Sequence, residues 1–445
     1  MQYFIIAPKM LDRSKKPKTK NYFELQNIVP EVLCDDKVEI FYHDQTKEDV
    51  IVLKLYYPLN ALDIPNALVT SYLAKVLLEC GTQKYSFKEL LDAYTYHGIS
   101  LSMFSNPFAL EINGECLTSK FSELLHFLDE IIYQPRFDVK EFKKIMLRAK
   151  QNFKINMNDN SYLADVLMGQ KMFGNNNPYG YFLKEKDYDD IAIDQFKTLH
   201  EERVIPRTPT VSIAGNLSEK QLKQLQKFLT ERASKKVPFD TGIKFTKPAT
   251  NKKLSQKIKK KATQTSIRSF SIISNIDCET EEFFNLKITN FIYGGSFFNC
   301  RLMQTLREEK GYTYGAHSWL SDYNSHALAL EISTEVKSET TQDSIKIIFD
   351  EMINLSHNKL QKNLIPMVKI KLKTKLADSL SHAFRQLDFY IERKLKNIDP
   401  QESLKNYVRA IENFNHDVLV QTAENFLRPE NFYTVLVTPQ KVSLD

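Results

Sequence analysis

The sequence predicts an α+β fold with two homologous domains, each an antiparallel-rich β-sheet with helices packed on one face. Three observations support this prediction. Some segments alternate apolar and polar residues as strands do, other segments repeat apolar residues at helical spacing, and the order of these segments occurs twice along the chain. We therefore predict an N-terminal domain at residues 1–231, a connector at 232–261 and a C-terminal domain at 262–445.

The internal repeat is clearest at its glycines. One constant offset places Gly81 on Gly294 and Gly98 on Gly311, and the stretch between each pair has a helical pattern. Two further segment pairs match in the same order, so a chance match is a poor explanation. We infer an internal duplication.

The first half begins with an alternating strand at residues 49–57 and continues with an apolar-periodic helix at 65–79. A glycine turn and a second helix at 85–96 follow. Long helices are predicted at 120–133 and 140–153, and a closing strand at 209–214.

The second half repeats this plan. The predicted elements are a strand at 264–274, helices at 281–293 and 296–310, a hairpin of strands at 314–320 and 326–334 with its turn at 322–325, helices at 341–356 and 363–376, and a closing strand from residue 431. The spacing of Phe284, Ile288, Phe291 and Ile292 is typical of the buried stripe of a helix.

Composition and charge exclude several classes of protein. No apolar run approaches the roughly 18 residues of a membrane span. The five cysteines form no CxxC pair, which argues against a zinc knuckle or a disulfide framework. The formal net charge is +6, and six lysines without an acid lie between residues 251 and 265. No aromatic residues lie among those lysines, so we predict a solvated connector and no nucleic-acid partner.

The N-terminal sequence has no basic region before its short apolar stretch, so it does not resemble a signal peptide. A cytoplasmic location is therefore the default expectation. A chain from which an export signal had been removed would look the same.

Four of the twelve glycines lie in the segment 294–315. The pattern predicts a tight turn at Gly294-Gly295, a helix, a glycine cap at Gly311 and then a strand that carries Tyr314. The segment contains Gly294-Gly295, Arg301-Leu302 and the run Leu-Arg-Glu-Glu-Lys-Gly-Tyr-Thr-Tyr at 306–314.

This motif, together with the duplicated plan, resembles the pitrilysin and mitochondrial processing peptidase family of inverzincin metallopeptidases. The resemblance implies two homologous α+β domains and a dimer that closes around a peptide-binding chamber. It also implies that Arg307 and Tyr314 bind the backbone of the peptide substrate.

The zinc motif of that family is degenerate in this sequence. Zinc binding there uses H-x-x-E-H on a helix of the first domain, with the glutamate as general base. Counting back from Gly81 places these positions on Tyr72, Lys75 and Val76. A third ligand, a glutamate, is expected near Phe153, but residues 151–160 contain no glutamate. We therefore predict no metal site and no cofactor in this chain.

The resemblance then implies a non-catalytic subunit of a heterodimeric zinc metallopeptidase. Zinc is expected in a homologous partner subunit, to which this chain supplies Arg307, Tyr314 and half of the peptide-binding chamber. Two alternatives stay open: a non-proteolytic peptide-binding or scaffold protein that forms a homodimer, and an active enzyme with a different metal site. The sequence does not identify the substrate.

Overall fold

A computed structural model of the chain describes residues 30–34, 38–44, 48–61, 63–231, 237–239, 247–274, 276–295, 299–323, 328–357 and 364–443. Several predictions fall partly outside this described part. They concern the N-terminal export signal, the connector at 232–236 and 240–246, the start of the helix predicted at 296–310, the hairpin turn beyond residue 323 and residue 363.

The first half contains a six-stranded sheet in the order β1-β2-β6-β3-β5-β4. Its strands are β1 (Glu31–Cys34), β2 (Glu39–His43), β3 (Val50–Pro58), β4 (Ser100–Ser105), β5 (Ala109–Leu117) and β6 (Thr210–Ala214). Its helices are α1 (Ile64–Glu79), α2 (Phe87–Tyr96), α3 (Phe121–Tyr133), α4 (Val139–Asn156), α5 (Asn160–Phe173), α6 (Asp187–Asp190), α7 (Ile193–Arg203) and α8 (Glu219–Thr230).

The second half contains a five-stranded sheet in the order β7-β11-β8-β10-β9. Its strands are β7 (Leu254–Ile258), β8 (Gln264–Ile273), β9 (Thr313–Asp322), β10 (Leu328–Lys337) and β11 (Tyr433–Thr438). Its helices are α9 (Glu281–Tyr293), α10 (Thr341–Ser356), α11 (Leu364–Ser379), α12 (Ala383–Lys394), α13 (Pro400–Asn413) and α14 (His416–Phe426).

The two sheets share one topology. If β1 is set aside, the order β2-β6-β3-β5-β4 corresponds strand for strand to β7-β11-β8-β10-β9. In both sheets the first of these pairs is parallel and the other pairs are antiparallel. This is the arrangement that the internal repeat predicts, and the α+β fold class is confirmed.

Each sheet has its main core on the face covered by helices of its own half. In the first half, Leu53 of β3 packs in one apolar cluster with Leu73 of α1 and Ile131 of α3. In the second, Ile267 of β8 packs with Ile288 of α9. Burial of such side chains stabilises the fold by roughly 1.5–3 kcal/mol each, and most of the folding energy comes from these two layers.

The opposite face of each sheet is covered by a helix from the other half, which the sequence did not predict. Helix α5 of the first half packs Met168 and Met172 against Phe270 of β8. Helix α12 of the second half packs Leu387 against Phe41 of β2. The two halves therefore interlock through a reciprocal exchange of helices.

The predicted connector differs from the structure at its C-terminal end. Residues 254–258 form strand β7, which pairs in parallel with β11 at the edge of the second sheet. Lysines flank this edge strand, and Lys253 Nζ lies 4.0 Å from the ring centroid of Tyr433. Lysines on an edge strand oppose pairing with another sheet, which gives the basic cluster a structural role.

The glycine-rich segment also differs from its prediction. Residues Met303–Glu309 form a π-helical segment instead of an α-helix, and the N–H of Lys310 bonds to the carbonyl of Thr305, five residues earlier. Gly294 has φ of −153° and ends α9. A Cβ at Gly294 would lie 2.6 Å from Ser318 Oγ, so close packing under β9 requires this glycine, and not a left-handed turn. Gly311, with φ of 63°, is the left-handed cap that the sequence predicts.

Within the described residues, no helix combines the length and apolar character that crossing a bilayer requires.

Candidate functional site

Helix α1 carries the positions of the degenerate zinc motif. The helix starts at Asp63, whose side chain accepts a hydrogen bond from the N–H of Asn66 at 3.1 Å. Leu73 and Val76 are fully buried in the core of the first half. Tyr72 and Lys75 lie on another side of the helix, where they line a cavity.

This cavity has a volume of about 410 Å³, within the range of ligand pockets. It lies between α1, α4, the start of α5 and the segment 178–188. Its described lining includes four tyrosines, two other aromatic residues, two asparagines and one lysine: Tyr72, Tyr162, Tyr181, Tyr188, Phe153, Phe182, Asn152, Asn156 and Lys75.

Three rings form the wall beside α1. The ring centroids of Tyr72 and Tyr188 are 6.3 Å apart and nearly perpendicular, and those of Phe153 and Tyr188 are 5.6 Å apart. Burial raises the pKa of Tyr188 far above its usual value, and a hydrogen bond with Tyr72 adds to this rise. Burial also raises the pKa of Tyr162. The phenols of Tyr188 and Tyr162 therefore stay protonated at neutral pH.

Lys75 gives the cavity a cationic group. Its Nζ lies 3.7 Å from Glu79 Oε1, and Arg148 Nη2 lies 2.5 Å from the other oxygen of the same carboxylate. One carboxylate thus serves two cations, and this trio carries one net positive charge.

Ion pairs hold the outer wall of the cavity against α4. Lys150 Nζ lies 2.6 Å from Asp189 Oδ2, and Lys154 Nζ lies 2.9 Å from Glu185 Oε1. These pairs balance in charge. They are exposed, so each stabilises the wall by no more than about 1 kcal/mol.

Two further contacts shape the same wall. Tyr181 donates its hydroxyl proton to Asp187 Oδ2 at 2.9 Å, and the backbone N–H of Lys184 donates to that oxygen at 2.7 Å. The ring of Phe182 lies so close to α5 that a Cβ at Gly169 would be 2.8 Å from it. Gly169 is therefore required for this ring to reach the cavity.

The structure brings together most of the predicted metal-motif positions but no zinc ligands. Tyr72, Lys75 and Phe153 all line the cavity, whereas Val76 is buried in the core. Asp159 caps α5, where its side chain accepts a hydrogen bond from Tyr162 N at 2.7 Å. Zinc in proteins binds thiolate, imidazole or carboxylate, and an ammonium group repels it. These residues do not fit a zinc ion, and within the described ranges no three His, Cys, Asp or Glu side chains group as metal ligands do.

Arg307 and Tyr314 lie in the second half. Arg307 is an exposed residue near the end of the π-helical segment, and Tyr314 is 88% exposed on edge strand β9. Neither side chain lines the cavity of the first half. Their role in substrate binding stays a prediction.

A buried carboxylate anchors the segment that carries Arg307. Glu351 of α10 is 4% exposed, and its two oxygens accept hydrogen bonds from Arg301 Nε at 2.7 Å and from Thr305 Oγ1 at 3.1 Å. Arg301 of the sequence motif therefore has a structural role. No signal in the sequence pointed to Glu351, because it lies 50 residues from Arg301.

Comparison with known proteins agrees with these features. Residues 190–372 match the family model described as the Peptidase M16 inactive domain, and residues 11–166 match the model of the peptidase-associated region of subfamily C of M16. The chain belongs to the M16 peptidase family. The resemblance read from the sequence is thereby confirmed. As an M16 protein, it is of the protease-like type that lacks the zinc site.

Among curated relatives of this M16 protein is YmxG of Bacillus subtilis (strain 168), named an uncharacterized zinc protease. It is 22% identical over 244 residues, which cover 55% of this chain and 58% of YmxG. The match thus spans little more than half of the curated relative.

Solved structures of similar fold include a peptidase M16 inactive domain from Pseudomonas fluorescens. It has a TM-score of 0.79 and 17% identity, and the match covers 94% of this chain and all of that one. The periplasmic protease PqqL from Escherichia coli has a TM-score of 0.75 and 11% identity, over 97% of this chain and 49% of PqqL.

Proposed function

We propose that this M16 protein is the non-catalytic subunit of a heterodimeric zinc metallopeptidase, and that it supplies half of a peptide-binding chamber. The observation that carries the proposal is the site on α1. The fold is that of the family, yet Tyr72, Lys75 and Val76 occupy the zinc positions and cannot hold the ion. Zinc and the water-activating base are expected on a homologous partner subunit.

The length of a structural relative supports the need for a partner. PqqL, a protease, matches this chain over only 49% of its own length. A complete protease of that build therefore contains about two units of this size. In a heterodimer, the second unit would be the zinc-bearing chain.

Arg307 and Tyr314 are the residues that this chain would contribute to the partner's site. Guanidinium and phenol groups are hydrogen-bond donors, and both can hold a peptide carbonyl. As the carbonyl carbon is attacked, its oxygen gains negative charge, and the same donors stabilise it more strongly. The exposure of both residues on the second half is compatible with this role.

The test is reconstitution of cleavage. This chain is mixed with a homologous chain from the same genome that carries an intact H-x-x-E-H, and hydrolysis of a fluorogenic peptide library is followed. Each chain alone should be inactive or nearly so, and the mixture should cleave. Native mass spectrometry should show one zinc ion per heterodimer.

Substitutions then test the two donors. Arg307→Ala should lower kcat/KM of the mixture by about 100-fold or more, as the loss of one oxyanion donor does in other enzymes. Arg409→Ala is the matched control, because Arg409 is an exposed arginine whose only described ion pair, with Glu281, is long at 3.9 Å. Restored cleavage that Arg307→Ala leaves unchanged would reject the role of Arg307.

A homodimer with no restored cleavage would favour the alternative, a non-proteolytic peptide-binding or scaffold protein. The cytoplasmic location is likewise a proposal, since PqqL is a periplasmic protease. Fractionation of the native host tests it.

A further inference from the structure

The cavity at the former zinc position has a lining with a definite chemical character. Its described lining contains one cationic side chain, Lys75, and no aspartate or glutamate. The other polar groups are phenols, side-chain amides and the hydroxyl of Ser71. We propose that this cavity binds a carboxylate group of a peptide, either the C-terminal carboxylate or an acidic side chain.

Charge supports an anionic ligand. Glu79 is the described carboxylate paired with Lys75, and it is shared with Arg148, whose contact is shorter at 2.5 Å against 3.7 Å. A ligand carboxylate can therefore bind Lys75 Nζ without leaving Glu79 unpaired. The ammonium group has three donors, so it can serve both partners.

Hydrogen-bond donors are available on the wall opposite Lys75's own turn of helix. The phenols of Tyr72 and Tyr188 bond to each other, which uses only one of their two protons. The side-chain amides of Asn152 and Asn156 lie at the exposed part of the lining. A carboxylate offers about four acceptor sites, which these donors match in kind.

The nearest buried carboxylate does not fill this role itself. Asp187 lies behind Tyr181 and accepts from that hydroxyl and from the N–H of Lys184. Its charge opposes an anion in the cavity, but its two hydrogen bonds hold it outside the lining. The ion pairs of α4 with Asp189 and Glu185 are balanced, so they add no net charge.

Two other ligand classes fit less well. Aromatic side chains bind cationic groups in many sites, but Lys75 would repel a cation in this one. A purely apolar ligand would bury the phenols and amides without hydrogen bonds, at a free-energy cost of about 1–3 kcal/mol per group. The carboxylate uses both the charge and the donors.

The inference rests on the proposed function only in taking the ligand to be a peptide. It implies that this subunit lost hydrolytic chemistry at α1 but still uses the position to hold one end or one side chain of the substrate.

The experiment measures binding to the full chain alone, so it is independent of any partner. Ligand-observed NMR titrations compare acetyl-Ala-Ala-Leu with its C-terminal amide, and acetyl-Ala-Glu-Leu-amide with acetyl-Ala-Gln-Leu-amide. We expect at least one carboxylate peptide to bind at least about 10-fold more tightly than its neutral counterpart, the factor typical of one charged hydrogen bond. The first pair reports a C-terminal carboxylate and the second an acidic side chain.

Variants locate the site. Lys75→Met should remove the preference for the charged peptide, and added salt should weaken binding to the wild-type chain. Lys120→Met is the matched control, because Lys120 also pairs with a nearby glutamate, Glu123, at 3.1 Å, and lies outside the cavity. Melting temperatures of both variants show whether they fold.

Three results would overturn the inference: equal binding of charged and neutral peptides, an unchanged preference in a folded Lys75→Met, or no binding of any carboxylate peptide at about 10 mM, a concentration well above the ~1 mM Kd of a weak complex. If reconstituted cleavage succeeds while these titrations fail, only the carboxylate site is rejected. If the titrations succeed and no partner restores cleavage, only the heterodimeric function is rejected.

Discussion

Replacement of Arg268 by methionine tests whether the interlocked halves depend on one buried cation. Arg268 lies on β8, and its side chain is 2% exposed. Its Nε donates to Asp165 Oδ1 of α5 at 2.5 Å, and its Nη1 donates to Glu335 Oε1 of β10 at 2.9 Å. Burial disfavours the charged guanidinium, but the two carboxylates outweigh burial and raise the pKa of Arg268.

The expected loss follows from these contacts. Breaking a buried ion pair by removing one partner destabilises a protein by about 3–5 kcal/mol. Asp165 and Glu335 are 51% and 34% exposed, so water can hydrate both carboxylates after the substitution. We therefore expect Arg268→Met to lower the free energy of unfolding by about 3 kcal/mol, the lower end of that range. For a chain of 445 residues this corresponds to a fall in Tm of about 3 °C.

The assay is equilibrium unfolding in urea, followed by circular dichroism, together with calorimetry. Arg385→Met is the control, because Arg385 is 45% exposed and pairs with the exposed Asp378. Its loss should change stability by less than about 1 kcal/mol. Hydrogen exchange should quicken in α5, since Arg268 fastens that helix to the second sheet.

Two outcomes would contradict the reasoning. One is a loss below about 1 kcal/mol for Arg268→Met, which would mean that the pair gains nothing over solvated ions. The other is faster exchange throughout the molecule with none specific to α5.

Two further substitutions have equally definite outcomes. Alanine normally stabilises a helix interior relative to glycine by about 1 kcal/mol, but Gly169→Ala should lower the free energy of unfolding in urea by about 1–3 kcal/mol, because its Cβ would lie 2.8 Å from Phe182. A stabilised Gly169→Ala would show that Phe182 moves freely. Burial lowers the pKa of His200, although its hydrogen bond to the Ile132 carbonyl opposes this. The unfolded chain then binds a proton that the folded chain does not, so unfolding free energy should fall as pH drops below about 6.5. His200→Gln should flatten that part of the pH profile, and an identical slope in both proteins would contradict the assignment.

The strongly periodic elements could be predicted from the sequence. The helix expected at 341–356 is Thr341–Ser356, and the strand expected at 264–274 is Gln264–Ile273. In both, the period of the apolar residues matches the element, and burial against a neighbouring layer reinforces the local preference.

Elements whose partners are distant could not be predicted. Strand β7 has no buried residue, and its conformation depends on pairing with β11, which lies far along the chain. The apolar stripes of α5 and α12 predict that these helices are covered, but a stripe does not specify which sheet covers it. The π-helical segment differs from an α-helix only in which carbonyl each N–H reaches, and apolar spacing over seven residues does not distinguish the two.

The candidate site was predicted in part. Counting from Gly81 places Tyr72 and Lys75 at the metal positions, and both line one cavity. Tyr188 was missed because it comes from a segment more than a hundred residues away, where the sequence carries no recognisable motif.

The exchange of α5 and α12 has a mechanical consequence. Parting the two halves would strip Phe270 of its cover from α5 and Phe41 of its cover from α12, so water would reach both sheets at once. A swinging motion within the chain is therefore costly. Any gap wide enough to admit a substrate has to open along a seam between separate polypeptides, and a gene cut at the connector would yield two fragments that are each sticky without the other.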